Sequence, residues 1–284
     1  MLAHFLGASA ATLGVAQSTC APSAAVNRRD RPVRKLGIVG GVAWPSTIDY
    51  YKAICRLSLT HHKGKSITGP PPMPEMSIES LNMNKSFGLR GGVIDDDASW
   101  SRFDEYFRQA LQRLEVSGAA LAIIASNTPH NRFDAITRGT RIPVLSIFDA
   151  VAIECARLGV TEMLILGTAP TMDSPIFPQV LARHGVTAFA PGSTEVRAKV
   201  IALISELYEE RNEDAAARIE AIVDASCPNA GALRAVCLAC TELSLAFPQM
   251  ENESEFVLGD VRYLNTTMIH ARAAFSAMLE PSDA

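Results

Sequence analysis

A short apolar run, Leu36-Gly37-Ile38-Val39-Gly40-Gly41, ends in two glycines. After the helix-start signal Pro45-Ser46, the segment from Thr47 to Leu59 carries apolar side chains at helical spacing. Together they predict a strand, a tight turn and a helix. Because apolar runs and amphipathic stretches continue to alternate from Lys35 onward, the sequence predicts an α/β fold with a parallel sheet and helices on its faces.

The segments that follow fit the same alternation. Several prolines between residues 67 and 76 predict a loop, and Gly118 ends a helix with one apolar face. The further predicted strands are residues 76–81, 121–125 and 143–147, and the further predicted helices are residues 100–116, 131–137 and 149–158.

The chain also repeats itself weakly. Residues 163–168 echo residues 36–41, and residues 237–241 echo residues 123–127. Each half then offers a glycine turn and a small polar residue at the carboxyl end of a parallel strand, where open α/β sheets bind ligands. Two such halves facing each other would enclose one cleft, whereas the alternative interpretation is that any doubly wound protein contains such echoes.

The composition is that of an ordinary globular protein. The 284 residues include 26 Lys and Arg and 30 Asp and Glu, which gives a net charge of −4, and 48% are hydrophobic. These values exclude the collagen, coiled-coil and disordered classes, and the length permits one large or two small domains. Since no Lys/Arg-rich stripe follows residue 35, we expect no nucleic-acid partner.

The cysteines lie in apolar surroundings of a chain too large to need cross-links. They are Cys20, Cys55, Cys155, Cys227, Cys237 and Cys240. This usage is typical of a reducing compartment and predicts free thiols. Cys237 and Cys240 have C-x-x-C spacing, but on a strand such side chains point to opposite faces. We therefore expect neither a shared metal nor a reactive dithiol at this pair.

The amino-terminal segment resembles a signal peptide only in part. Residues 5–16 form an apolar stretch, but no basic residue precedes it and several follow it between Arg28 and Lys35, the reverse of the signal-peptide pattern. Residues 1–34 are therefore interpreted as an extension outside the fold, with no membrane-spanning helix. The expected location is the cytoplasm, or the periplasm if residues 1–25 do act as a signal peptide.

Polar residues follow the apolar strands directly, at the strand ends where chemistry is expected. They are Gly40-Gly41, Ser126-Asn127-Thr128-Pro129-His130, Gly167-Thr168 and Cys240-Thr241-Glu242. A cysteine near backbone N–H groups and helix N-termini can have a lowered pKa and act as a base or nucleophile. Cys240 is the candidate because Thr and Glu follow it, and the alternative is that it fills the core as an inert thiol.

The other polar candidates have structural interpretations. His130 can be a hydrogen-bonded structural residue, and His61 and His62 are expected to be solvated. Residues 95–97, three consecutive aspartates, are expected to cap a helix and not to bind metal. The glycines at residues 37–41 do not form a dinucleotide fingerprint.

These motifs resemble the aspartate/glutamate racemases of the Asp/Glu/hydantoin racemase superfamily. The resemblance runs from about Lys35 to Phe275. The motifs that show the resemblance are residues 36–47 with Tyr50-Tyr51, Ser126-Asn127-Thr128-Pro129-His130, Leu166-Gly167-Thr168 with Thr171-Met172, Arg197-Ala198-Lys199 and Cys240-Thr241-Glu242-Leu243. The resemblance implies two pseudo-symmetric α/β domains, each a parallel sheet flanked by helices, with the active site in the cleft between them. The implied domains are residues 35–142 plus 255–284 and residues 143–254, and no pyridoxal phosphate, metal or nucleotide cofactor is implied.

The resemblance also implies a mechanism with two cysteines on opposite faces of the substrate α-carbon. Cys240 matches the second cysteine, whereas the first falls on Ser126, and a hydroxyl without a partner base is a much weaker proton acceptor than a thiol. A subgroup of the family also has a hydroxyl residue here and is regarded as having a one-sided substrate preference. Asn265 stands where the family often has Asp, and residues 70–80 contain no counterpart of an arginine that some members use to hold a carboxylate.

The expectation is therefore an amino-acid racemase acting on aspartate, glutamate or a related amino acid, with Cys240 and Ser126 as the catalytic residues. The expected substrate-binding residues are Gly41, Val42, Asn127, Thr128, Thr168, Lys199, Thr241 and Glu242. Lys199 is the candidate for binding the side-chain carboxylate. The alternatives are a single-cysteine lyase that decarboxylates a malonate-like acid and a non-catalytic binding paralogue. A homodimer with a small-molecule substrate and no membrane partner is expected.

Overall fold

The structure, a computed structural model, describes residues 33–227 and 234–280, and the chain from Val33 onward forms one compact unit. The extension predicted over residues 1–34 therefore lies outside the described residues except for its last two positions, and so does Cys20. Among the described residues, no helix combines the length and the apolar character needed to cross a membrane.

The first sheet has four parallel strands in the order β2-β1-β3-β4. They are β1 Leu36–Gly40, β2 Met76–Ser80, β3 Leu121–Ile124 and β4 Val144–Leu145. The helices between them are α1 Trp44–His62, α2 Met83–Gly88, α3 Asp97–Val116 and α4 Phe133–Thr137, with a 3-10 helix at Thr128–Arg132.

The second sheet has five strands in the order β6-β5-β7-β9-β8, of which only the edge strand β8 runs antiparallel to its neighbour. They are β5 Glu162–Gly167, β6 Thr187–Phe189, β7 Arg234–Ala239, β8 Glu255–Leu258 and β9 Val261–Asn265. The helices are α5 Ile147–Leu158, α6 Ala169–Asp173, α7 Ile176–Ala182, α8 Thr194–Tyr208, α9 Ala215–Ser226 and α10 Thr266–Leu279, with 3-10 helices at Thr241–Ala246 and Pro248–Met250.

The two sheets share one topology. The order β2-β1-β3-β4 corresponds to β6-β5-β7-β9, so β1 is equivalent to β5 and β3 is equivalent to β7. These are the strand pairs whose sequences echo each other, which confirms the predicted repetition. The predicted fold class, α/β with two pseudo-symmetric parallel sheets flanked by helices, is confirmed as well, with β8 as the antiparallel exception.

The chain passes between the sheets at other points than the predicted boundaries at 142/143 and 254/255. Residues 144–145 form β4 of the first sheet, and β8 and β9 belong to the second. The return to the first half occurs at α10, whose Ala271 and Phe275 pack with Leu36 and Ile38 of β1. The predicted division is therefore corrected at both boundaries, because β4 and β9 complete their sheets before the chain crosses.

Apolar clusters cover both faces of each sheet, as expected for parallel strands. In the first sheet, one face packs on α1 and α10, and the other, with Val39 and Ile124, packs on α3. In the second sheet, Leu164 and Leu238 face α8 and α9, whereas Ile165 and Cys237 face α5 and α7. This packing leaves the strand ends as the places where polar side chains collect.

Local capping explains the helix boundaries. The Asp96 side chain accepts a hydrogen bond from Ser99 N–H and begins α3, which confirms the capping predicted for residues 95–97. The predicted strand 143–147 is shorter because Ser146 caps α5 through Asp149 N–H, and Gly159 ends that helix with a φ of 68°. Likewise, a 3-10 helix precedes α4, so the predicted helix 131–137 begins at Phe133.

Candidate active site

Polar side chains from the ends of strands in both sheets meet each other. The Thr128 and Thr168 hydroxyls, which follow β3 and β5, lie 2.9 Å apart. Asn127 Nδ2 donates to Thr266 Oγ1 at 3.0 Å, and that hydroxyl donates to the β7 carbonyl of Leu238 at 2.9 Å. The predicted strand-end residues of the two halves are therefore joined by direct hydrogen bonds.

Cys240 forms the most chemically specific contact of this region. It follows β7 directly, and its Sγ–H donates to Glu242 Oε2 at 2.8 Å. Thr241 Oγ1 donates to the same carboxylate oxygen at 3.0 Å, and Ser46 Oγ of α1 donates to Thr241 Oγ1. All four side chains are buried, with Cys240 only 7% exposed. A chain of three hydrogen bonds thus fixes the Glu242 carboxylate against the thiol.

The electrostatics of Cys240 differ from the sequence expectation of a lowered pKa. Burial raises the pKa of the thiol well above its usual value, and the negative charge of Glu242 raises it further. The Glu242 backbone N–H and the Arg90 guanidinium oppose this effect but do not overcome it. The thiol is therefore protonated at neutral pH, and the Glu242 carboxylate accepts its hydrogen bond. The binding of substrate by Glu242 stays a prediction.

Ser126 lies at the end of β3, the strand equivalent to β7. It is partly exposed, and its backbone N–H donates to Ile124 O at 2.8 Å. Its hydroxyl has no hydrogen-bond partner among the residues that the structure describes. The two equivalent strand ends therefore differ, because one carries a thiol paired with a carboxylate and the other carries a hydroxyl with no paired base.

Asn127, Thr128 and Thr168 lie at strand ends, as the sequence predicted. Together with Cys240, Thr241 and Glu242 at the end of β7, they are the polar cluster of strand-end residues. Asn127 is 3% exposed, and its Oδ1 is buried without a hydrogen-bond partner in the described chain. Thr168 Oγ1 also lies 3.2 Å from Thr171 Oγ1. Asn127 therefore presents an unoccupied acceptor, and the two threonines present hydroxyls that can donate or accept.

Gly41 and Val42 serve the packing of the turn after β1. Gly41 has a φ of 74°, its N–H donates to Thr47 Oγ1 at 2.8 Å, and an added Cβ would lie 2.2 Å from Leu81 O. The Val42 side chain is buried in the cluster that contains Leu81 and Trp100. The Gly41 N–H is thus already bonded and the Val42 side chain lies in the core, and the binding of substrate by these two residues stays a prediction.

Lys199 does not join the polar cluster. Its side chain is 61% exposed on α8 and pairs with Glu195 Oε1 at 2.8 Å, one helical turn away. It lines a cavity of about 280 Å³ between α8 and α9, together with Arg218 and Ala221. The apolar face of α8, with Val196 and Val200, packs in the cluster that contains Cys240, and the binding of the substrate's side-chain carboxylate by Lys199 stays a prediction.

Arg90 was not among the residues that the sequence suggested for the site. It lies in the loop after α2, and the charges of Cys240 and Glu242 both act on its guanidinium. Residues 70–80, which contain no arginine, precede this position. The only sequence signal was a basic residue on the carboxyl side of β2, and its approach to the end of β7 depends on the tertiary fold.

The buried histidines are structural. His130 Nε2 donates to Ile124 O and Nδ1 accepts from Ile147 N–H, each at 3.3 Å, and burial lowers the pKa of His130 well below its usual value. His270 Nδ1 accepts from Tyr50 O–H at 2.9 Å. The structural interpretation of His130 is therefore confirmed.

The cysteines other than Cys240 are also placed by the core. Cys55, Cys155, Cys227, Cys237 and Cys240 are free thiols, as predicted. Cys237 and Cys240 belong to clusters on opposite faces of the second sheet, which confirms the interpretation of their spacing. Within the described residues, no three His, Cys, Asp or Glu side chains are grouped to hold a metal ion.

A separate cavity of about 420 Å³ lies beside α1 and is lined by residues that include Trp44, Asp49, Ser244 and Glu251. Burial raises the pKa of Asp49 to about 6, and the charges of Glu251 and Glu242 contribute to this rise. None of the predicted site residues lines this cavity, so the polar cluster, and not the cavity, is the candidate active site.

Residues 39–274 match the protein-family model described as Asp/Glu/Hydantoin racemase, which covers most of the chain. The chain belongs to this family. Its fold also matches solved racemase structures. An aspartate racemase homologue from Pyrococcus horikoshii OT3 is 28% identical, with a TM-score of 0.67, over 87% of this chain and 100% of the other.

More distant structures share the fold alone. The aspartate racemase of Picrophilus torridus is 16% identical, with a TM-score of 0.63, over 86% of this chain and 94% of the other. The glutamate racemase of Thermus thermophilus is 17% identical, with a TM-score of 0.55, over 89% of this chain and 85% of the other. Within the fold of this racemase-family chain, the thiol–carboxylate pair of Cys240 and Glu242 is the chemically specific feature.

Proposed function

We propose that this protein racemises an acidic amino acid, aspartate, glutamate or a close relative, by moving the α-proton with its own side chains and no cofactor. The observation that carries the proposal is the contact of 2.8 Å between the Cys240 thiol and the Glu242 carboxylate at the end of a buried parallel strand. That distance allows direct proton transfer, and family membership supports racemisation as the reaction class.

Cys240 and Glu242 act together as one acid–base unit. When Cys240 is the base, its S–H proton passes to Glu242 Oε2, and the resulting thiolate takes the substrate α-proton and leaves a carbanion. When Cys240 is the acid, the thiol gives its proton to the carbanion and regains one from Glu242. Because burial holds the resting thiol protonated, the adjacent carboxylate is essential to the first of these steps.

Ser126 serves the opposite face of the α-carbon in this proposal. It occupies the strand end in the first half that is equivalent to the Cys240 position in the second half. Since its hydroxyl has no paired base among the described residues, proton transfer on its face is the slower step and proceeds through a bound water.

The polar cluster supplies groups for the α-ammonium and the α-carboxylate. The buried Asn127 Oδ1 is an unpaired acceptor and suits the ammonium group. The hydroxyls of Thr128 and Thr168 can turn their O–H bonds toward the carboxylate, on which negative charge develops as the α-proton leaves. Binding would therefore satisfy polar groups that are buried in the free protein.

Deuterium wash-in tests the proposal. The purified protein is incubated with pure L or D aspartate or glutamate in deuterated water, and α-deuterium and the opposite enantiomer are both measured. We expect both to accumulate, and we expect Cys240→Ser to abolish exchange while Cys55→Ser, at a half-buried thiol of α1, retains it. Equal losses in the two variants, or exchange that survives Cys240→Ser, would reject the assignment.

The asymmetry between the two strand ends favours one alternative, a lyase that decarboxylates a malonate-like acid. In that reaction the carbon–carbon bond breaks, carbon dioxide leaves, and the electron pair that remains on carbon takes one proton from Cys240, so a single thiol suffices. Release of carbon dioxide from a substituted malonate, with no α-deuterium entering aspartate or glutamate, would establish the lyase in place of the racemase.

A further inference from the structure

Ser46 reaches from the first half of the chain to the reactive pair of the second half. It lies in the first turn of α1, next to Pro45, at a position where proline is compatible with a helix because its missing N–H would have no partner there. The Ser46 side chain is buried, and its Oγ donates to Thr241 Oγ1, just after β7. The Ser46 hydroxyl makes no other hydrogen bond to the described residues.

Two other hydroxyls of α1 bond to backbone carbonyls instead. Thr47 Oγ1 donates to a carbonyl one turn earlier, a bond that serine and threonine commonly make within helices. Ser58 Oγ donates to Pro72 O at 2.9 Å and so holds the loop before β2. Ser46 differs from both, because it donates to a side chain of the other half that is itself bonded to the Glu242 carboxylate.

The Ser46 hydroxyl determines where the Thr241 proton points. A hydroxyl has only one proton, so its neighbours decide which acceptor receives it. Because Ser46 donates to Thr241 Oγ1, the Thr241 proton is left to point to Glu242 Oε2, 3.0 Å away. The same oxygen accepts the Cys240 S–H at 2.8 Å. Two donors therefore hold Oε2, and in a buried site such linked hydrogen bonds strengthen one another.

The position of Ser46 is set by the contacts of α1 with the second half. Further along the helix, Lys52 Nζ and Arg56 Nη1 both pair with the Glu251 carboxylate, at 3.0 and 3.2 Å. Exposed ion pairs of this kind stabilise a protein little, but they show that α1 lies against the segment that follows β7. A hydroxyl in the first turn of this helix is thus already in place and has little freedom left to lose.

We propose that Ser46 is a positioning residue for the thiol–carboxylate pair. By fixing the direction of the Thr241 hydroxyl, it holds Glu242 Oε2 against the Cys240 thiol. The inference rests on the proposed racemase function and extends it, because a residue of the first half then completes the acid–base unit of the second half. Without the Ser46 donor, the Thr241 hydroxyl can turn away from the carboxylate, and Oε2 loses one of the two groups that hold it.

Infrared spectroscopy tests the inference without any need for turnover. The S–H stretching band of a thiol lies where other protein groups do not absorb, and its frequency falls as the S–H group donates a stronger hydrogen bond. The Cys240 band is identified as the band that is missing from Cys240→Ser. It is then compared among the wild type, Ser46→Ala and the matched control Ser58→Ala, which removes another fully buried hydroxyl from the same helix.

We expect the Cys240 band to move to higher frequency in Ser46→Ala, because the carboxylate is no longer held at the thiol, and to keep its place in Ser58→Ala. Thr241→Val, which removes the intervening hydroxyl, should move the band in the same direction. Addition of Ser46→Ala to Thr241→Val should then change nothing further, since Ser46 acts only through that hydroxyl. An unmoved band in a folded Ser46→Ala variant, or additive shifts in the double variant, would overturn the inference. A wild-type Cys240 band at the frequency of an unbonded thiol would overturn it as well.

The steady-state arm separates this inference from the proposed function. If the wild type exchanges the α-proton of aspartate, Ser46→Ala should lower kcat about tenfold, the effect of one lost hydrogen bond, and change KM less than about twofold. Exchange in the wild type with an unchanged kcat in Ser46→Ala would refute the role of Ser46 alone. No exchange in the wild type, together with the band shift in Ser46→Ala, would refute the racemase and retain Ser46 as the residue that positions the pair.

Discussion

Replacement of Glu242 by Gln separates the two effects that this carboxylate has on Cys240. The amide has nearly the same shape and can still accept the hydrogen bond from Thr241, but it cannot take a proton and carries no charge. We expect α-proton exchange to collapse and, in the same variant, the Cys240 thiol to become more reactive toward a neutral alkylating reagent.

The expected loss of exchange follows from the geometry of the pair. Removal of a positioned general base costs about 10²- to 10⁴-fold in rate, which corresponds to about 3 to 5 kcal/mol of transition-state free energy. The Sγ to Oε2 distance of 2.8 Å lies within the range for direct transfer. Because Cys240 is only 7% exposed, bulk water has little access to replace the carboxylate, so the loss should be at least a hundredfold.

The expected gain in alkylation follows from the electrostatics. The charge of Glu242 and its hydrogen bond with the thiol both contribute to the raised pKa of Cys240, after burial, which is the larger cause. Their removal lowers that pKa and leaves more thiolate at a given pH. Iodoacetamide should therefore modify Cys240 faster in Glu242→Gln than in the wild type at pH 8.

The assay measures α-deuterium by mass spectrometry and Cys240 modification by peptide mapping in the same preparations. Glu162→Gln is the matched control, because Glu162 is exposed at the amino end of β5, away from the strand ends of the site. A variant with parallel losses of exchange and alkylation, or one that retains more than a tenth of wild-type exchange, would refute the thiol–carboxylate unit.

Three further outcomes are expected. Ser126→Cys should accelerate inversion more than exchange without inversion, because it supplies a thiol on the slow face. The initial rates of inversion and of α-deuterium exchange are measured from each pure enantiomer, and equal acceleration of the two would contradict the expectation. Lys199→Met should change KM for aspartate less than twofold, since that side chain is 61% exposed and pairs along its own helix; a tenfold rise would restore the original assignment. Burial lowers the pKa of His270 to about 4, so between pH 6.5 and pH 4 the unfolded chain binds more protons than the folded chain. The free energy of unfolding, measured by urea titration, should therefore fall by about 3 kcal/mol as the pH is lowered through this range. His270→Gln should flatten that pH dependence.

The sequence predicted those parts of the fold that local chemistry determines. The double glycine after residue 39 gave the turn between β1 and α1, where φ at Gly41 is 74° and no Cβ fits. The position of Cys240 at a strand end followed from an apolar run that stops at Thr241 and Glu242. In each case, the deciding information lies within a few residues of the feature itself.

Features that depend on distant parts of the chain were not predictable in this way. The charges of Cys240 and Glu242 act on Arg90, which follows α2 in the first half of the chain, and no spacing along the chain encodes that proximity. The raised pKa of Cys240 has the same origin, because burial by surrounding elements outweighs the local helix start that suggested a lowered value. The motif that contains Lys199 likewise fixed its position on α8 but could not show that its side chain is 61% exposed and paired with Glu195.

A symmetric fold with unequal strand ends places a kinetic constraint on the proposed racemase. The equilibrium constant between enantiomers is one, so kcat/KM must be equal for the two, and any difference in kcat has to be matched by a difference in KM. Inversion in either direction uses both faces, once to remove a proton and once to deliver one, so weakness at Ser126 slows both directions. Exchange without inversion needs only the Cys240 face, where the thiol can trade its proton with solvent through Glu242. The enantiomer whose α-proton faces Cys240 should therefore gain deuterium faster than it inverts, whereas the other enantiomer should invert as fast as it exchanges. The ratio of deuterium incorporation to inversion should therefore differ between the two enantiomers, whereas kcat/KM should not. That difference is the signature of a thiol–carboxylate pair on one face of the α-carbon and an unpaired hydroxyl on the other.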